Sequence, residues 1–248
     1  MPRSSASIAA EEIDRFSRHA ADWWNPDGAF RPLHRLNPVR VEYVRDAACA
    51  HFRRSPQSRQ SLKGLTILDV GCGGGLLSEP MARLGGKVTG IDASEETVAA
   101  ARQHARAVGL AIDYQVASVE ELAAKKTRYD FITALEVVEH VADMDSFFEA
   151  LAGLLKPGGL LVMSTLNRTP KSFLLGIVAA EYIFGWVPRG THEWNKFVRP
   201  SELVKHLETA GLTATDLTGL IFNPLRNEFV LSNNDLDVNY LATAIRKK

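Results

Sequence analysis

Leu65-Thr66-Ile67-Leu68-Asp69-Val70-Gly71-Cys72-Gly73-Gly74-Gly75 is the stretch of the sequence that decides the fold. Its first half has the length and the apolar residue types of a buried strand, and its second half is a turn rich in glycine. A turn this tight needs residues that tolerate positive φ, and a ligand approaches the backbone closely only where side chains are missing. Because residues 76–84 then have a helical pattern, the stretch predicts a strand, a ligand-binding turn and a helix.

The alternation of strand and helix continues downstream of the glycine-rich turn. Further short apolar strands are predicted at 87–92, 112–116, 130–135 and 160–164. Helical patterns lie between or after them, at 95–108, 144–155 and 200–210. Continuous apolar strands that alternate with helices are typical of a parallel sheet covered on both faces. Two last segments, 212–220 and 228–231, are expected to complete the sheet as an antiparallel pair.

The composition predicts one α/β domain with some decoration, since the chain has 248 residues. Lys and Arg number 29, as do Asp and Glu, so no overall basic field attracts nucleic acid and we expect no nucleic-acid partner. The two cysteines fit a reducing cytosol, and residues 1–10 lack the pattern of a secretory signal. No apolar run reaches the roughly 18–20 residues of a spanning helix. We therefore expect a cytoplasmic protein.

The chain divides into three regions by pattern. Residues 1–10 have the composition of a disordered lead, and residues 11–62 that of an N-terminal helical cover, with its second helix at about 38–52. Trp23 and Trp24 could cover the cofactor or fix the N-terminal helix, and core packing is the default interpretation. Residues 63–248 form the α/β core, which a helical insertion at 169–199 interrupts between the fifth and sixth strands.

Asp92 closes the second predicted strand about twenty residues after the glycine-rich turn, where a carboxylate can bind both hydroxyls of a ribose. The turn and Asp92 together indicate a cofactor that contains adenosine. A dinucleotide-binding turn would have its third glycine where Leu76 stands, and Asp69 suits a cationic, amine-bearing ligand better than a pyrophosphate. S-adenosylmethionine is therefore favoured over a nicotinamide dinucleotide. The alternative is a glycine turn that serves only helix–sheet packing.

Three motifs resemble the successive motifs of class I S-adenosylmethionine-dependent methyltransferases: residues 69–75, Gly90-Ile91-Asp92 and Leu155-Lys156-Pro157-Gly158-Gly159. The resemblance implies a Rossmann-like, seven-stranded α/β sheet in the order 3-2-1-4-5-7-6, with strand 7 antiparallel. Many relatives have an Asp for the adenine amine after the third strand, whereas this chain has Ser118. The cofactor contacts expected at these motifs are Asp69, Gly71, Gly73, Asp92, Ala93, Ser118 and Val119.

Four further strings resemble those of the family of ubiquinone biosynthesis O-methyltransferases. The resemblance extends from about Ile13 to Tyr240. The four strings are residues 32–40 (PLHRLNPVR), 136–141 (EVVEHV), 164–168 (STLNR) with 190–194 (GTHEW), and 237–240 (DVNY). The resemblance implies methylation of two polyprenylated catechols, a 2-polyprenyl-6-hydroxyphenol and a 3-demethylubiquinol. It also implies cofactor contacts at Arg40, Gly71, Asp92 and Leu135, and a place in a ubiquinone-biosynthesis complex.

Glu136, Glu139 and His140 follow the fourth predicted strand with i, i+3, i+4 spacing, so on a helix all three share one face. That face lies beyond the carboxyl end of the strand, where open α/β sheets bind ligands. Two carboxylates and an imidazole can hold a divalent cation and leave positions for the two oxygens of a catechol. Related eukaryotic enzymes with this motif imply Mg²⁺ in that role.

Three roles for these residues stay open. A catechol hydroxyl, with a pKa of about 10, must lose its proton before it attacks a methylsulfonium, and a metal bound to Glu136, Glu139 and His140 would lower that pKa. Without a metal, His140 is the general base. In the third interpretation, the two carboxylates are solvated residues of a first helical turn and His140 packs.

The segment 173–187 is unusually apolar for an insertion, and Lys171 and Arg189 flank it. It is too short to span a bilayer, but it could lie in the interface with Tyr182 and Trp186 at headgroup depth. A polyprenylated substrate resides in the membrane, so we expect residues 171–189 to act as a lid with peripheral membrane contact. The alternative is a helix that roofs the site or packs on the core.

Three rivals to a prenyl-catechol O-methyltransferase stay open. The first is a small-molecule methyltransferase with another acceptor, which the string around Arg40 and the apolar insertion disfavour. The second is a dinucleotide-dependent oxidoreductase, which Leu76 disfavours. The third is a non-catalytic scaffold in a membrane-associated biosynthetic complex, which the intact glycine-rich motif disfavours.

Overall fold

The computed structural model describes residues 22–175 and 193–247. The predicted lead at 1–10 and most of the first helix of the N-terminal cover lie outside the described residues. So does the larger part of the insertion, with Tyr182, Trp186, Arg189 and the first three residues of the string 190–194. The described part is one α/β unit built on a single sheet.

The sheet has eight strands in the described part of the chain, in the order β3-β2-β1-β4-β5-β8-β6-β7. They are β1 (Thr66–Val70), β2 (Lys87–Asp92), β3 (Asp113–Val116), β4 (Tyr129–Leu135), β5 (Leu155–Leu166), β6 (Leu212–Asn223), β7 (Glu228–Ser232) and β8 (Asn239–Arg246). The first five pair in parallel, and β8 runs antiparallel to both β5 and β6. The expected Rossmann-like order is confirmed, because β8 takes the place of the antiparallel strand between β5 and β6.

The strand count of seven is wrong by one. The pairing predicted between 212–220 and 228–231 is correct, with Leu220 opposite Leu231, but β7 is an extra edge strand. The antiparallel strand beside β5 is instead β8, which the sequence pattern did not reveal. Its centre, Tyr240, Leu241, Ala242 and Ala244, is buried without alternation, and alanine has a low strand propensity, so neither periodicity nor composition marks it.

The first described helix, α1 (Arg31–His51), begins seven residues earlier than predicted. Pro32 fits in the first turn, where a backbone donor is not needed. Pro38 lies inside the helix and removes one backbone hydrogen bond. The helix continues through it because Leu36, Arg40 and Val44 are buried along one face.

The other described helices are α2 (Ser78–Arg83), α3 (Glu95–Ala107), α4 (Val119–Ala124), α5 (Met144–Leu154), the single turn α6 (Pro170–Ser172) and α7 (Pro200–Thr209). Helix α3 has the expected Ser94 cap, whose side chain accepts from the Thr97 amide. Helix α4 was not predicted, and a capping box formed by Ser118 and Glu121 starts it. The string 155–159 belongs to β5 and carries a register shift against β4, where a loop was expected.

Apolar side chains cover both faces of the sheet, as the parallel pattern predicted. On one face Phe147, Phe148 and Leu203 bring α5 and α7 against the strands, and on the other Val44 and Met81 bring α1 and α2. Of the helices in the described ranges, none is both long and apolar enough to cross a bilayer. The carboxyl ends of β1, β2, β4 and β5 therefore open at one edge of a covered sheet, where open α/β sheets bind ligands.

Candidate functional site

Asp69 lies beneath the glycine-rich turn, at the end of β1, and is 2% exposed. Its two carboxylate oxygens accept from the hydroxyls of Ser78 on α2, at 2.6 Å, and Thr133 on β4, at 2.7 Å. Burial raises its pKa from 3.8 to about 6, while those two hydrogen bonds oppose the shift. The carboxylate thus connects β1 with α2 and β4 beneath the turn, and both of these hydrogen bonds come from protein side chains.

Trp23 and Trp24 lie on the glycine-rich turn itself. A Cβ on Gly73 would come within 2.5 Å of the Trp23 ring, and Gly73 has φ +53, so this position requires glycine on two grounds. The Trp24 indole donates to the Gly74 carbonyl at 2.9 Å and stacks on His104 at 3.4 Å. Both tryptophans are partly or wholly buried, as predicted, but what they cover is the ligand-binding turn.

Asp92 reaches from the end of β2 to the same turn. Its Oδ2 accepts from the Gly73 amide at 3.1 Å, and its Oδ1 accepts from the Ser94 amide at 2.9 Å. Burial raises its pKa, and these backbone donors oppose the rise. Gly71, Gly73, Asp92 and the adjoining Ala93 are therefore brought together at one place, as the spacing predicted.

The end of β3 lies beside Asp92, because the Ala117 amide donates to the Asp92 carbonyl at 3.1 Å. Ser118 follows, but its hydroxyl accepts from the Glu121 amide at 3.2 Å as a helix cap, and Val119 is buried as the first residue of α4. The Glu120 carboxylate is different: both of its oxygens are buried and have no hydrogen-bond partner among the described residues. Sequence reasoning missed Glu120, although it lies next to two predicted contacts.

Arg40 brings a buried charge from α1 to the end of β4. Its Nη2 lies 2.8 Å from Oε1 of Glu136, and the two side chains are 7% and 21% exposed. Apart from this ion pair, neither Nη2 nor Nε of Arg40 has an in-line acceptor among the described residues. Leu135, the last residue of β4, precedes Glu136. A buried guanidinium with unused donors is suited to bind a carboxylate.

One oxygen of Glu136 makes three contacts, two hydrogen bonds and the ion pair with Arg40. Its Oε1 accepts from Ser164 Oγ of β5 at 2.8 Å and from Asn239 Nδ2 of β8 at 3.1 Å, in addition to the Arg40 contact. Burial alone would raise its pKa, but Arg40 and these donors lower it below the ordinary value. Its φ of +55 is unusual for a residue with a side chain. Such local strain persists where surrounding contacts fix it, often at a functional site.

The shared helical face predicted for Glu136, Glu139 and His140 is wrong. The segment forms a three-residue 3₁₀ turn, Val138–His140, and Glu136 precedes it with positive φ. The helix does not begin at Glu136, because its φ is positive and its amide donates to the Ser164 carbonyl of β5 at 3.1 Å. Glu139 is 4% exposed, and its Oε2 accepts from the Thr165 hydroxyl at 2.8 Å. Burial first, and then the neighbouring Glu136 charge, raise the pKa of Glu139 to about 7.

A metal site at these residues finds no support in the geometry. Over 22–175 and 193–247, no three His, Cys, Asp or Glu side chains are arranged to hold a metal ion. One Glu136 oxygen is already paired with a guanidinium. A ligand set for Mg²⁺ requires carboxylate oxygens that are free to coordinate, so the residues as placed do not fit the ion.

The string 237–240 acquires a role that the sequence did not assign. Asn239 contacts Glu136, and the hydroxyl of the fully buried Tyr240 donates to the Val198 carbonyl at 2.9 Å. Ser164 and Thr165, in another string of the resemblance, bind the two carboxylates. The strings were recognisable, but the pairing of β5 with β8 that brings them together was not.

Comparisons with known proteins cover the residues of this site. A family model described as a methyltransferase domain matches residues 68–163. A ubiquinone biosynthesis O-methyltransferase of Sinorhizobium fredii is 52% identical over 240 residues, which are 97% of this chain and 96% of the relative. A protein of the same name from Methylobacterium sp. is 49% identical over 240 residues, again 97% and 96% of the two chains.

Solved structures share the fold at low sequence identity. Magnesium protoporphyrin IX methyltransferase from Synechocystis, with bound SAH (S-adenosylhomocysteine), has a TM-score of 0.62 and 21% identity, over 96% of this chain and 95% of that one. The plantazolicin methyltransferase in complex with a triazolic analogue and SAH has a TM-score of 0.63 and 16% identity, over 97% and 100%. At these identities the likeness shows the fold alone.

The raised pKa of Asp69 predicts a pH-dependent stability. Between 3.8 and about 6 the folded chain keeps a proton that the unfolded chain has lost, so this group makes stability fall as pH rises through that window. Asp69→Asn removes the titration. The free energy of unfolding of this variant, minus that of the unaltered chain, should increase by about 2–3 kcal/mol from pH 4 to 7. Above pH 7 the difference should stay constant.

Urea denaturation at each pH measures this difference. Asp27→Asn, at an exposed position, is the control, and its curve should run parallel to that of the unaltered chain. A constant difference for Asp69→Asn across the window would contradict the assigned burial effect.

Proposed function

Because the chain belongs to the family of ubiquinone biosynthesis O-methyltransferases, we propose that it methylates catechol hydroxyls of polyprenylated ring intermediates with S-adenosylmethionine. The acceptors are a 2-polyprenyl-6-hydroxyphenol and a 3-demethylubiquinol. The observation that carries the proposal is the buried Arg40–Glu136 pair at the carboxyl end of β4. It stands beside a glycine turn already joined to Asp92.

The unused polar groups of the site fit S-adenosylmethionine. Arg40 has buried donors without an in-line acceptor in the described ranges, which suits the cofactor's carboxylate. Asp92 lies where a ribose binds, and the partnerless Glu120 carboxylate suits the amine of adenine in place of the Ser118 hydroxyl, which caps α4. A dinucleotide presents a pyrophosphate and no amino-acid carboxylate, so the Arg40 position disfavours the oxidoreductase alternative.

The chemistry that the residues must provide is deprotonation and alignment. When bound, the cofactor supplies a methyl group on a cationic sulfur, which the acceptor's oxygen takes in an in-line displacement. His140, at the end of the 3₁₀ turn, is the base that removes the hydroxyl proton, and Glu139 beside it stabilises the resulting imidazolium. The Arg40–Glu136 pair holds the end of β4 in place between the cofactor half and the acceptor half of the site.

In the metal-dependent alternative, Mg²⁺ would lower the pKa of the catechol directly. The Arg40 contact at Glu136 favours the version without a metal. A different small-molecule acceptor stays the second candidate, and it keeps the same cofactor site and the same base.

Peripheral membrane contact through residues 171–189 is part of the proposal. At the described start of this segment, Phe173, Leu174 and Leu175 are 47%, 56% and 46% exposed, and apolar residues in a row at a surface are typical of a contact region. Lys171 does not serve as a lipid-facing charge, since its ammonium lies 2.7 Å from Asp235 and 3.3 Å from Asp237. The contact is therefore expected to depend on apolar insertion.

Methyl transfer from labelled S-adenosylmethionine to a short-chain 3-demethylubiquinol tests the catalytic proposal. We expect transfer that persists in EDTA and does not increase with added Mg²⁺. His140→Gln should lower kcat about 10²- to 10⁴-fold, as loss of a general base does, with unchanged SAH affinity. His51→Gln is the matched control, because His51 contacts the Gly158 carbonyl near the opposite edge of the sheet.

Two results would overturn parts of this proposal. Transfer that EDTA abolishes and Mg²⁺ restores would replace the metal-free version with the metal-dependent one. An absence of transfer in a chain that binds SAH would point to another acceptor.

Flotation with vesicles that contain anionic phospholipid tests the membrane contact. Leu174→Ser/Leu175→Ser should reduce the bound fraction about 10-fold, because each substitution removes exposed apolar area that would enter the interface. Leu225→Ser, at a residue that is 96% exposed in the β6–β7 turn, should bind as the unaltered chain does. Equal binding by the double variant would contradict a contact at this segment.

A further inference from the structure

Asn239, the first residue of β8, has one half of its amide satisfied and the other half not. Its Nδ2 donates to Oε1 of Glu136 at 3.1 Å. Its Oδ1 is buried and has no hydrogen-bond donor among the described residues. A buried acceptor left without a donor is unfavourable, so this oxygen is expected to acquire a donor when the site is filled.

The two neighbouring hydroxyl groups have no proton to spare. The Ser164 hydroxyl gives its proton to Glu136 at 2.8 Å, and the Thr165 hydroxyl gives its proton to Glu139 at 2.8 Å. The Glu136 carboxylate, whose pKa is lowered by Arg40 despite its burial, only accepts. The unused donors of Arg40 are assigned to the cofactor's carboxylate in the proposed function, so we expect the donor for Asn239 Oδ1 to come from a bound molecule.

The position of Asn239 in the sheet identifies which molecule. Asn239 pairs in register with Leu166 at the carboxyl end of β5, and the strand order is β2-β1-β4-β5-β8. The glycine turn and Asp92 follow β1 and β2, so β4 and β5 separate them from Asn239. The cofactor half of the site lies on one side of Glu136, and Asn239 lies on the acceptor half.

We propose that Asn239 binds the acceptor: its Oδ1 accepts a hydrogen bond from the phenolic hydroxyl next to the one that is methylated, while its Nδ2 holds Glu136. This inference rests on the proposed function. The attacking hydroxyl gives its proton to the base, whereas the adjacent hydroxyl keeps its own. Both proposed acceptors have such an adjacent hydroxyl, so one residue serves both methylations. A methyl ether at that position cannot donate, and it leaves the buried amide oxygen unpaired.

The test is the preference for a free adjacent hydroxyl. It compares kcat/KM for a short-chain 3-demethylubiquinol with kcat/KM for the analogue in which the adjacent hydroxyl is a methyl ether. Asn239→Ala should reduce this preference about 5- to 30-fold, the ratio that corresponds to one lost hydrogen bond to a buried group. The effect should fall on the KM of the catechol, and SAH affinity by calorimetry should stay within about twofold.

Two further variants separate binding from structure. Ser164→Ala removes a different hydrogen bond to Glu136 and should keep the preference even if the overall rate falls. Asn239→Gln keeps both an amide oxygen and an amide donor and should keep part of the preference, which provides a second measurement if the alanine variant does not fold. Asn234→Ala, at an exposed residue of the same C-terminal segment, is the control for effects of substitution and purification that do not involve the site.

Two outcomes would overturn the role of Asn239. If both acceptors lose rate equally in Asn239→Ala, the residue only supports Glu136. If SAH affinity falls as much as the preference, its donor is the cofactor. A lack of transfer by the unaltered chain would contradict the proposed function instead, and calorimetric binding of the catechol and its methyl ether would then still test Asn239.

Discussion

The Glu136 carboxylate is the contact on which the arrangement of the site depends. One of its oxygens meets Arg40 of α1, Ser164 of β5 and Asn239 of β8, so four elements meet at a single buried atom. A buried ion pair is weak as a source of stability, but the loss of one partner leaves a charge without compensation. The pair therefore fixes the N-terminal helix and the C-terminal strand relative to the end of β4, and it does so at the cost of a strained backbone at Glu136.

Three buried carboxylates at this edge of the sheet show how partners decide their charge. Asp69 and Glu139 accept from hydroxyls, and burial, the largest influence on both, raises their pKa values to about 6 and about 7. Glu136, buried in the same region, has Arg40 beside it, and its pKa is lowered. Of these three carboxylates, Glu136 is the one whose pKa lies below its ordinary value, and it lies between the turn that would hold the cofactor and the strand end that would hold the acceptor.

The sequence predicts the parts of this site that depend on local spacing. The glycine turn, Asp92 and the Ser94 cap follow from patterns within one strand–turn–helix unit, and the structure confirms their proximity. The contacts of Glu136 come from Ser164 of β5 and Asn239 of β8, which are far apart in the chain. No local sequence pattern indicates that these two strands pair. The helix predicted from the spacing at 136–140 is wrong because a long-range contact holds Glu136 at positive φ. Glu120 was missed because burial of a charged side chain is not visible in its sequence context.

The most direct measurement of the central claim is a double-mutant cycle on the Arg40–Glu136 pair, with Arg40→Met, Glu136→Gln and the double variant compared by urea unfolding. If the pair joins the elements as described, each single variant leaves a buried group uncompensated, and the double variant recovers about 2–3 kcal/mol relative to the sum of the two. Additivity within about 0.5 kcal/mol would mean that the two side chains do not interact in the folded chain, and the structural account of the site would then be wrong at its centre.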